Sequence, residues 1–131
     1  MTLKGKVVSG LGEAKIWVNK IKKIFEAKTG MKLYEGTLNV KLDERYYLGD
    51  TLLKLEPSEY GGTQEVLVQE CEVLNNKAYV LRTIDNENGI GSQNINVIEI
   101  VSNINFRNQY NLKDGDMISI IINKEKRSKN A

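Results

Sequence analysis

Two glycines stand where a strand pattern gives way to a helix pattern, and their spacing suits the binding of an anion. They are Gly10 and Gly12, within the run Ser9-Gly10-Leu11-Gly12-Glu13-Ala14. Glycines allow a sharp backbone turn, and the free N–H groups at the start of a helix attract negative charge. The run is neither a Walker loop nor a complete dinucleotide-binding fingerprint. A phosphate-binding turn and a purely structural turn therefore both remain open.

A second group lies on one face of a predicted strand. Thr37, Asn39 and Lys41 alternate with apolar residues, so their side chains point the same way. Hydroxyl and amide oxygens suit Mg²⁺ when phosphates and waters complete its shell, and a lysine can contact phosphate as a point charge. The alternative is the exposed polar face of an edge strand.

A third group combines a carboxylate with an arginine. Glu99 alternates with Val97 and Val101, which would place its carboxylate among apolar side chains. A raised pKa there suits a general base or a contact to a substrate hydroxyl. Arg107 could pair with phosphate or with a nearby acid. The run Lys113-Asp114-Gly115-Asp116 is typical of a structural turn before a strand.

The elements that must position these residues follow from the spacing of apolar residues. A helix is predicted from about Glu13 to Thr29, because Gly30 stands where a helix commonly ends. Residues 75–76 predict a hairpin turn, residues 85–94 a loop and residues 103–110 a short helix. Strands are predicted over 4–9, 36–42, 52–55, 65–74, 77–83, 96–101 and 117–122. This pattern predicts a mainly β protein, a small, mostly antiparallel barrel of six or seven strands with one N-terminal helix and one short late helix.

Composition limits the possible functions. The 131 residues predict one domain over 1–123 and a charged tail over 124–131. A single cysteine, Cys71, excludes an intramolecular disulfide, and the absence of histidine excludes Ser-His-Asp or Cys-His catalysis and histidine-ligated metals. Neither a signal peptide nor a stretch long enough to span a membrane is present. We therefore expect a cytoplasmic protein with no membrane partner.

The charge is unevenly distributed along the chain. Residues 1–55 contain 11 basic and 6 acidic residues, whereas residues 56–131 contain 8 and 11. A basic half could face a nucleotide or a nucleic acid. The simpler interpretation is the solvated face of one amphipathic helix. The lysines concerned are Lys15, Lys20, Lys22, Lys23, Lys28 and Lys32. Few aromatic residues make nucleic acid the less favoured partner.

These groups in this order resemble the archaeal CTP-dependent riboflavin kinases. The similarity rests on Gly5-x-Val7-x-Ser9-Gly10-Leu11-Gly12-Glu13-Ala14, on Tyr34-Glu35-Gly36-Thr37-Leu38-Asn39-Val40-Lys41-Leu42, on Glu99-Ile100-Val101 with Arg107, and on Leu112-Lys113-Asp114-Gly115-Asp116. Order and spacing agree from about residue 4 to 122.

The resemblance implies a cradle-loop β-barrel that transfers the γ-phosphoryl group of CTP to the 5′-hydroxyl of riboflavin, giving FMN and CDP. Thr37 and Asn39 would hold one Mg²⁺, and Glu99 would contact the flavin and orient or deprotonate its hydroxyl. Lys41 would contact phosphate. The nucleotide would be bound by Gly10, Leu11, Gly12, Glu13, Ala14, Lys15, Asn105, Phe106, Arg107 and Asn108. CTP and riboflavin would be the substrates, and a monomer is favoured.

The sequence also departs from that family's pattern. Family members tend to carry a threonine with a nearby histidine before the glutamate strand, contacting the flavin. Thr83 matches the threonine, with Ser92 as its rival, but no histidine follows. Asn105 and Asn108 stand where charged residues are common. These differences leave open a relative that binds flavin or nucleotide without turnover.

Overall fold

The computed structural model describes residues 1–10, 12–51, 53–91 and 93–122. Within these ranges it has seven strands and four helices. Their bounds are β1 Thr2–Val8, α1 Ala14–Thr29, β2 Leu38–Leu42, β3 Leu53–Leu55, α2 Pro57–Tyr60, β4 Val66–Val73, β5 Asn76–Thr83, α3 Ile84–Glu87, β6 Val97–Val101, α4 Phe106–Gln109 and β7 Met117–Ile122. The predicted tail over 124–131 lies outside the described residues.

Six of the strands close into an antiparallel barrel. The order around the barrel is β4-β5-β6-β2-β1-β7, and β7 pairs back onto β4. Residues 66–68 of β4 pair with β3, whereas residues 71–73 pair with β7, so β3 is an extra strand beside the barrel. The predicted small β-barrel is therefore confirmed. Closure also leaves the six barrel strands with few unpaired edges.

The barrel interior is apolar because its strands alternate. On β7, Ile118, Ile120 and Ile122 are buried while the residues between them are exposed. Cys71 of β4 lies in the same interior, and burial raises the pKa of its thiol to about 12. That thiol is therefore protonated and unreactive at neutral pH.

Helix α1 covers the outer face of the sheet formed by β3 to β6. Its buried residues Val18, Ile21 and Phe25 pack there, and the Phe25 ring meets the Tyr79 ring edge to face at 5.0 Å. The helix ends as predicted, because Gly30 adopts a left-handed conformation (φ 80°) and its N–H donates to the Glu26 carbonyl at 2.8 Å. One side of α1 is thus fixed to the barrel, which in turn fixes where the helix begins.

The β4–β5 hairpin is present, but the predicted turn residues are wrong by one position. Leu74 and Asn75 form the turn, with φ of 50° and 64°, and Val73 pairs with Asn76. Asn76 instead stabilises the turn from the strand, since its Nδ2 donates to the Leu74 carbonyl at 2.8 Å.

Two single-turn helices were not predicted. Helix α2 begins at the chain's one proline and has a capping box between Glu56 and Glu59. Helix α3 occupies the start of the predicted 85–94 loop, where the Thr83 hydroxyl accepts a hydrogen bond from the Asn86 backbone N–H at 3.3 Å. Both are too short to produce a helical period, so only their caps could have signalled them.

The guanidinium of Arg82 closes one end of the barrel interior. Only 4% of this residue is exposed. It donates to the carbonyl oxygens of Tyr46, Ile95 and Val97, and to a carboxylate oxygen of Glu87 at 3.2 Å. The same carboxylate accepts the backbone N–H groups of residues 48 and 49. Arg82 and Glu87 together hold helix α3 against the barrel.

We expect Arg82→Leu to lower the free energy of unfolding by about 3–5 kcal/mol, because it leaves the Glu87 carboxylate buried without its partner. Chemical denaturation measures this loss. The matched control is Lys77→Leu, which removes an exposed ion pair with Glu70 and should cost no more than about 1 kcal/mol. Equal losses in the two variants would contradict the role assigned to Arg82.

Candidate functional site

Two cavities lie side by side on the outer surface of the barrel, at the start of α1. The first has a volume of about 440 Å³ and the second about 400 Å³, both in the range of small-molecule sites. Gly12, Ala14, Thr37 and Arg107 line both cavities. These four residues therefore mark a junction where two ligands bound in the separate cavities would meet.

The glycine turn lies against the polar face of β2. A Cβ atom at Gly10 would lie 2.5 Å from Asn39 Nδ2, so only glycine permits this approach. Asn39 Nδ2 donates to Thr37 Oγ1 at 3.3 Å, and Asn39 Oδ1 accepts from Gln93 Nε2 at 3.5 Å. The Asn39 amide thus lies beside the turn, with its nitrogen against the Thr37 hydroxyl and its oxygen towards Gln93.

This donor set fits Mg²⁺. The described part of the chain has no cluster of three His, Cys, Asp or Glu side chains that could hold a metal by itself. The Thr37 hydroxyl and the Asn39 amide each contain a neutral oxygen of the kind that Mg²⁺ prefers, and Mg²⁺ commonly completes its shell with substrate phosphates and water. A metal held here would therefore depend on a phosphate-bearing ligand in the cavities.

Arg107 is held at the junction by an acid and a carbonyl group. Its Nη2 donates to Asp114 Oδ1 at 2.6 Å and to the Val8 carbonyl at 3.0 Å, while Ser9 Oγ donates to Asp114 Oδ2 at 2.6 Å. The bonds from Ser9 and Arg107 lower the pKa of Asp114. Both arginine bonds use Nη2, which leaves its other N–H groups without partners among the described residues. Those groups can bind an anion.

Glu99 provides a carboxylate in the first cavity. Strand β6 places it between Asn39 on β2 and Leu81 on β5. Burial raises the pKa of the Glu99 carboxyl, and the negative charge of Glu13 raises it further. Among the described residues, none of the ion pairs involves Glu99. A carboxylate in this setting is suited to accepting a proton.

The second cavity is bordered by α4 and the segment before β2. Asn105 caps α4 by accepting the Asn108 backbone N–H at 3.2 Å, and its Nδ2 donates to the Tyr34 hydroxyl at 2.8 Å. Lys15 lies across from Glu35 at 3.8 Å, with both side chains largely exposed. This cavity therefore presents an aromatic ring and a mobile cation near the start of α1.

Most of the residues singled out in the sequence line these cavities. The first contains Gly10, Gly12, Glu13, Ala14, Thr37, Asn39, Thr83, Glu99 and Arg107. The second adds Lys15, Asn105 and Phe106, although Phe106 is largely buried in the core. Leu11 and Ser92 lie outside the described residues.

Two candidates line neither cavity. Lys41 is exposed on β2, beside Lys6 and Val97, two residues beyond Asn39 towards the far end of the strand. It shares the face of Thr37 and Asn39, as alternation predicts, but the cavity ends before it. Asn108 is exposed and contributes only its backbone N–H, to the cap of α4.

Sequence reasoning missed several residues of the first cavity, four of them with large aromatic or amide side chains. These four are Trp17, Gln64, Asn86 and Gln93. The helical period places Trp17 on the apolar side of α1, one turn after Ala14, and does not show that it borders a cavity. Gln64 and Gln93 lie outside the helices and strands, and Asn86 lies in the single-turn helix α3, so no periodicity shows which way these side chains point. The one sequence signal for the position of Asn86 is Thr83, a residue type that commonly caps the start of a helix.

The lysine-rich face of α1 is largely solvated, as its pattern indicates. Lys28 is an exception, since its Nζ contacts the Glu59 carboxylate at 2.8 Å and the Lys54 carbonyl at 3.0 Å. Its neighbours Lys20, Lys22 and Lys23 are exposed. Among the described residues, no helix is both long and apolar enough to cross a membrane.

Fold and site together define a small antiparallel β-barrel with joined cavities for two ligands. The family model CTP-dep_RFKase, described as "Domain of unknown function DUF120", matches residues 7–122. A curated relative named "Riboflavin kinase" from Staphylothermus marinus is 34% identical over 122 residues, covering 92% of this chain and 90% of the relative. The chain therefore belongs to the CTP-dependent riboflavin kinase family, as its motifs indicate.

Two further relatives bear the same name. The one from Methanococcus vannielii is 33% identical over 134 residues, covering 92% of this chain and 97% of the relative. The one from Pyrococcus furiosus is 33% identical over 123 residues, but this match covers only 56% of that longer protein. The similarity therefore spans nearly the whole of two relatives and about half of the third.

We expect Gly10→Ala to lower the free energy of unfolding by about 1–3 kcal/mol, because the new methyl group would overlap the Asn39 amide. Asn39→Ala removes the three atoms nearest to a Cβ at residue 10. In the double variant the second substitution should therefore relieve the first. A double-mutant cycle in urea measures this coupling, and strictly additive losses would contradict the contact.

Proposed function

We propose that this protein is a riboflavin kinase that uses CTP, transferring its γ-phosphoryl group to the 5′-hydroxyl of riboflavin. The observation that carries the proposal is the junction of two cavities at Thr37, Arg107 and the start of α1. Phosphoryl transfer requires a donor and an acceptor that meet end to end, with positive charge at the meeting point. The relatives named riboflavin kinase support the acceptor, and the family model's name supports CTP as donor.

The second cavity would hold the nucleotide, with its phosphates at the junction. Helix α1 has 16 residues, and Glu13 at its N-cap makes no side-chain capping bond. The first N–H groups of α1 are therefore available to phosphate oxygens, where the helix dipole also favours negative charge. Arg107 adds a fixed positive charge and Lys15 a mobile one. Lys41 has no part in this arrangement, because it lines neither cavity.

Thr37 and Asn39, which both line the first cavity, would hold one Mg²⁺. When bound, the ion supplies charge neutralisation and helps to orient the phosphoryl group. The role of the two side chains is to present neutral oxygens, and Gly10 keeps the Asn39 amide in place by contact. Because neutral ligands add no negative charge, they do not repel the triphosphate.

Glu99 would orient and deprotonate the acceptor hydroxyl. In the transfer, the 5′-oxygen of riboflavin forms a bond to the γ-phosphorus, and the bond from that phosphorus to the β–γ bridging oxygen breaks. The hydroxyl proton passes to the Glu99 carboxylate, and CDP leaves with the bonding electrons. Burial and the charge of Glu13 make Glu99 a stronger base than an exposed glutamate. No histidine is needed for such a step.

The flavin ring would lie in the first cavity, near Thr83.

The free thiol of Cys71 agrees with a reducing compartment, and we place the reaction in the cytoplasm. The six-strand barrel over residues 1–123 would act as one domain.

Purified protein with riboflavin, Mg²⁺ and each of CTP, ATP, GTP and UTP tests the proposal by chromatography of FMN. FMN should form mainly with CTP. Asn39→Ala should lower kcat by about tenfold or more at low Mg²⁺ and should recover in part at high Mg²⁺. Asn94→Ala is the matched control, since this exposed asparagine lines neither cavity. No FMN with any nucleotide, while riboflavin still binds, would instead identify a non-catalytic relative.

Glu99→Gln should lower kcat by roughly 100-fold or more, because it removes the base. The carboxyl's raised pKa means that ionisation disfavours the folded state. The protonated Glu99 carboxyl stabilises the folded state fully below its ordinary pKa of 4.5. This stabilisation is lost as the pH rises through the raised pKa that Glu99 has in the folded protein. Glu99→Gln should therefore be more stable than the wild type at pH 7 but not at pH 4.

The wild-type kcat should also fall as the solution is acidified through the same raised pKa. Thermal melting across this pH range and a pH–rate profile measure the two effects on one group. A Glu99→Gln variant with full activity, or with the same relative stability at pH 4 and pH 7, would count against the assignment.

A further inference from the structure

This inference rests on the proposed function and concerns how the acceptor is chosen. Gln64, Thr83 and Asn86 line the first cavity, and none of them lines the second. They therefore belong to the acceptor cavity alone. Because the 5′-hydroxyl must reach the junction, the three-ring system of riboflavin must occupy the rest of the cavity that these residues line.

The backbone fixes which way the Gln64 amide points. Its Oε1 accepts the Asp85 backbone N–H at 3.0 Å, so the oxygen is engaged and the NH₂ group is not. Among the described residues, the Gln64 side chain makes no other hydrogen bond. Turning the amide over would break the bond to Asp85 and place two N–H donors against each other.

The Asn86 amide is also oriented by a backbone N–H group that binds its oxygen. Its Oδ1 accepts the Gln93 backbone N–H at 3.4 Å. A Cβ at Gly91 would overlap this oxygen, so the backbone at Gly91 lies close against the Asn86 amide. The NH₂ group of Asn86 has no hydrogen-bond partner among the described residues. Thr83 Oγ1 accepts the Asn86 N–H at 3.3 Å, which leaves the hydroxyl proton to be donated.

These three side chains thus offer donors, because their oxygens already accept backbone N–H groups. The pyrimidine edge of the flavin ring is the reverse, since it carries two carbonyl oxygens and two ring nitrogens as acceptors and only one N–H. We propose that Gln64 and Asn86 select riboflavin by donating hydrogen bonds from their side-chain NH₂ groups to this acceptor-rich edge. A site built to make such bonds rejects molecules that cannot complete them, because its polar groups would then stay unpaired.

Gln64→Glu and Asn86→Asp test this directly, since each keeps the oxygen that the backbone needs and replaces NH₂ by oxygen. Each variant should raise the KM and the calorimetric Kd for riboflavin roughly tenfold or more. The KM for the nucleotide should stay within about twofold, because neither residue lines the second cavity. Gln109→Glu and Asn88→Asp are matched controls that add the same charge at exposed positions lining neither cavity. Thermal melting confirms that all four variants fold.

The outcomes separate this inference from the proposed function. A wild type that forms FMN, with riboflavin affinity unchanged in both variants, overturns the inference alone. So does an equal rise in both KM values, because the residues would then act on the whole site. If the wild type binds riboflavin without turnover, the Kd values still decide. If it neither binds nor phosphorylates riboflavin, both the proposed function and the inference are wrong.

Discussion

The ion pair between Arg107 and Asp114 determines where the two cavities meet. Asp114 comes from the turn before β7 and accepts bonds from both Arg107 and Ser9, while Arg107 also reaches the Val8 carbonyl. The chain at residues 8 and 9 is therefore joined to Arg107 and Asp114, across sequence separations of 99 and 105 residues. The Asp114 carboxylate restricts the conformations of the Arg107 guanidinium but occupies only Nη2. The other N–H groups of Arg107 can therefore still bind an anion. The junction depends on that combination.

Strand β2 serves the barrel and the site at once. Its alternation directs Leu38 and Val40 into the apolar interior, while Thr37 and Asn39 face the cavities. The apolar residues fix the register of the strand, and register decides which polar atoms border the cavity. A shift by a single residue would exchange the two faces. The stability of the barrel core therefore positions the two oxygens more reliably than a loop could.

The sequence predicts this molecule well wherever periodicity operates. Alternating strands, the 3.6-residue period of α1 and the glycine at its end all specify local backbone, and the barrel follows from their number. Turns are harder, because Leu74 and Asn75 adopt positive φ only in the context of the paired strands. Gln64 and Asn86 could not be foreseen, since their orientation depends on backbone groups brought near by the fold. Lys41 shows what alternation cannot predict. Alternation indicates which face of a strand a side chain lies on, but not how far along the strand a cavity extends.

Closure of the barrel also has a consequence for the order of folding. Residues 2–6 pair with residues 117–121, so the first and last described strands are neighbours. Contacts of such large sequence separation form slowly, because most of the chain must be ordered before they are made. On the ribosome, β1 has no partner on that side until β7 has been synthesised and has left the exit tunnel. The site at the junction, which includes Asp114, is therefore among the last parts of the nascent chain to form.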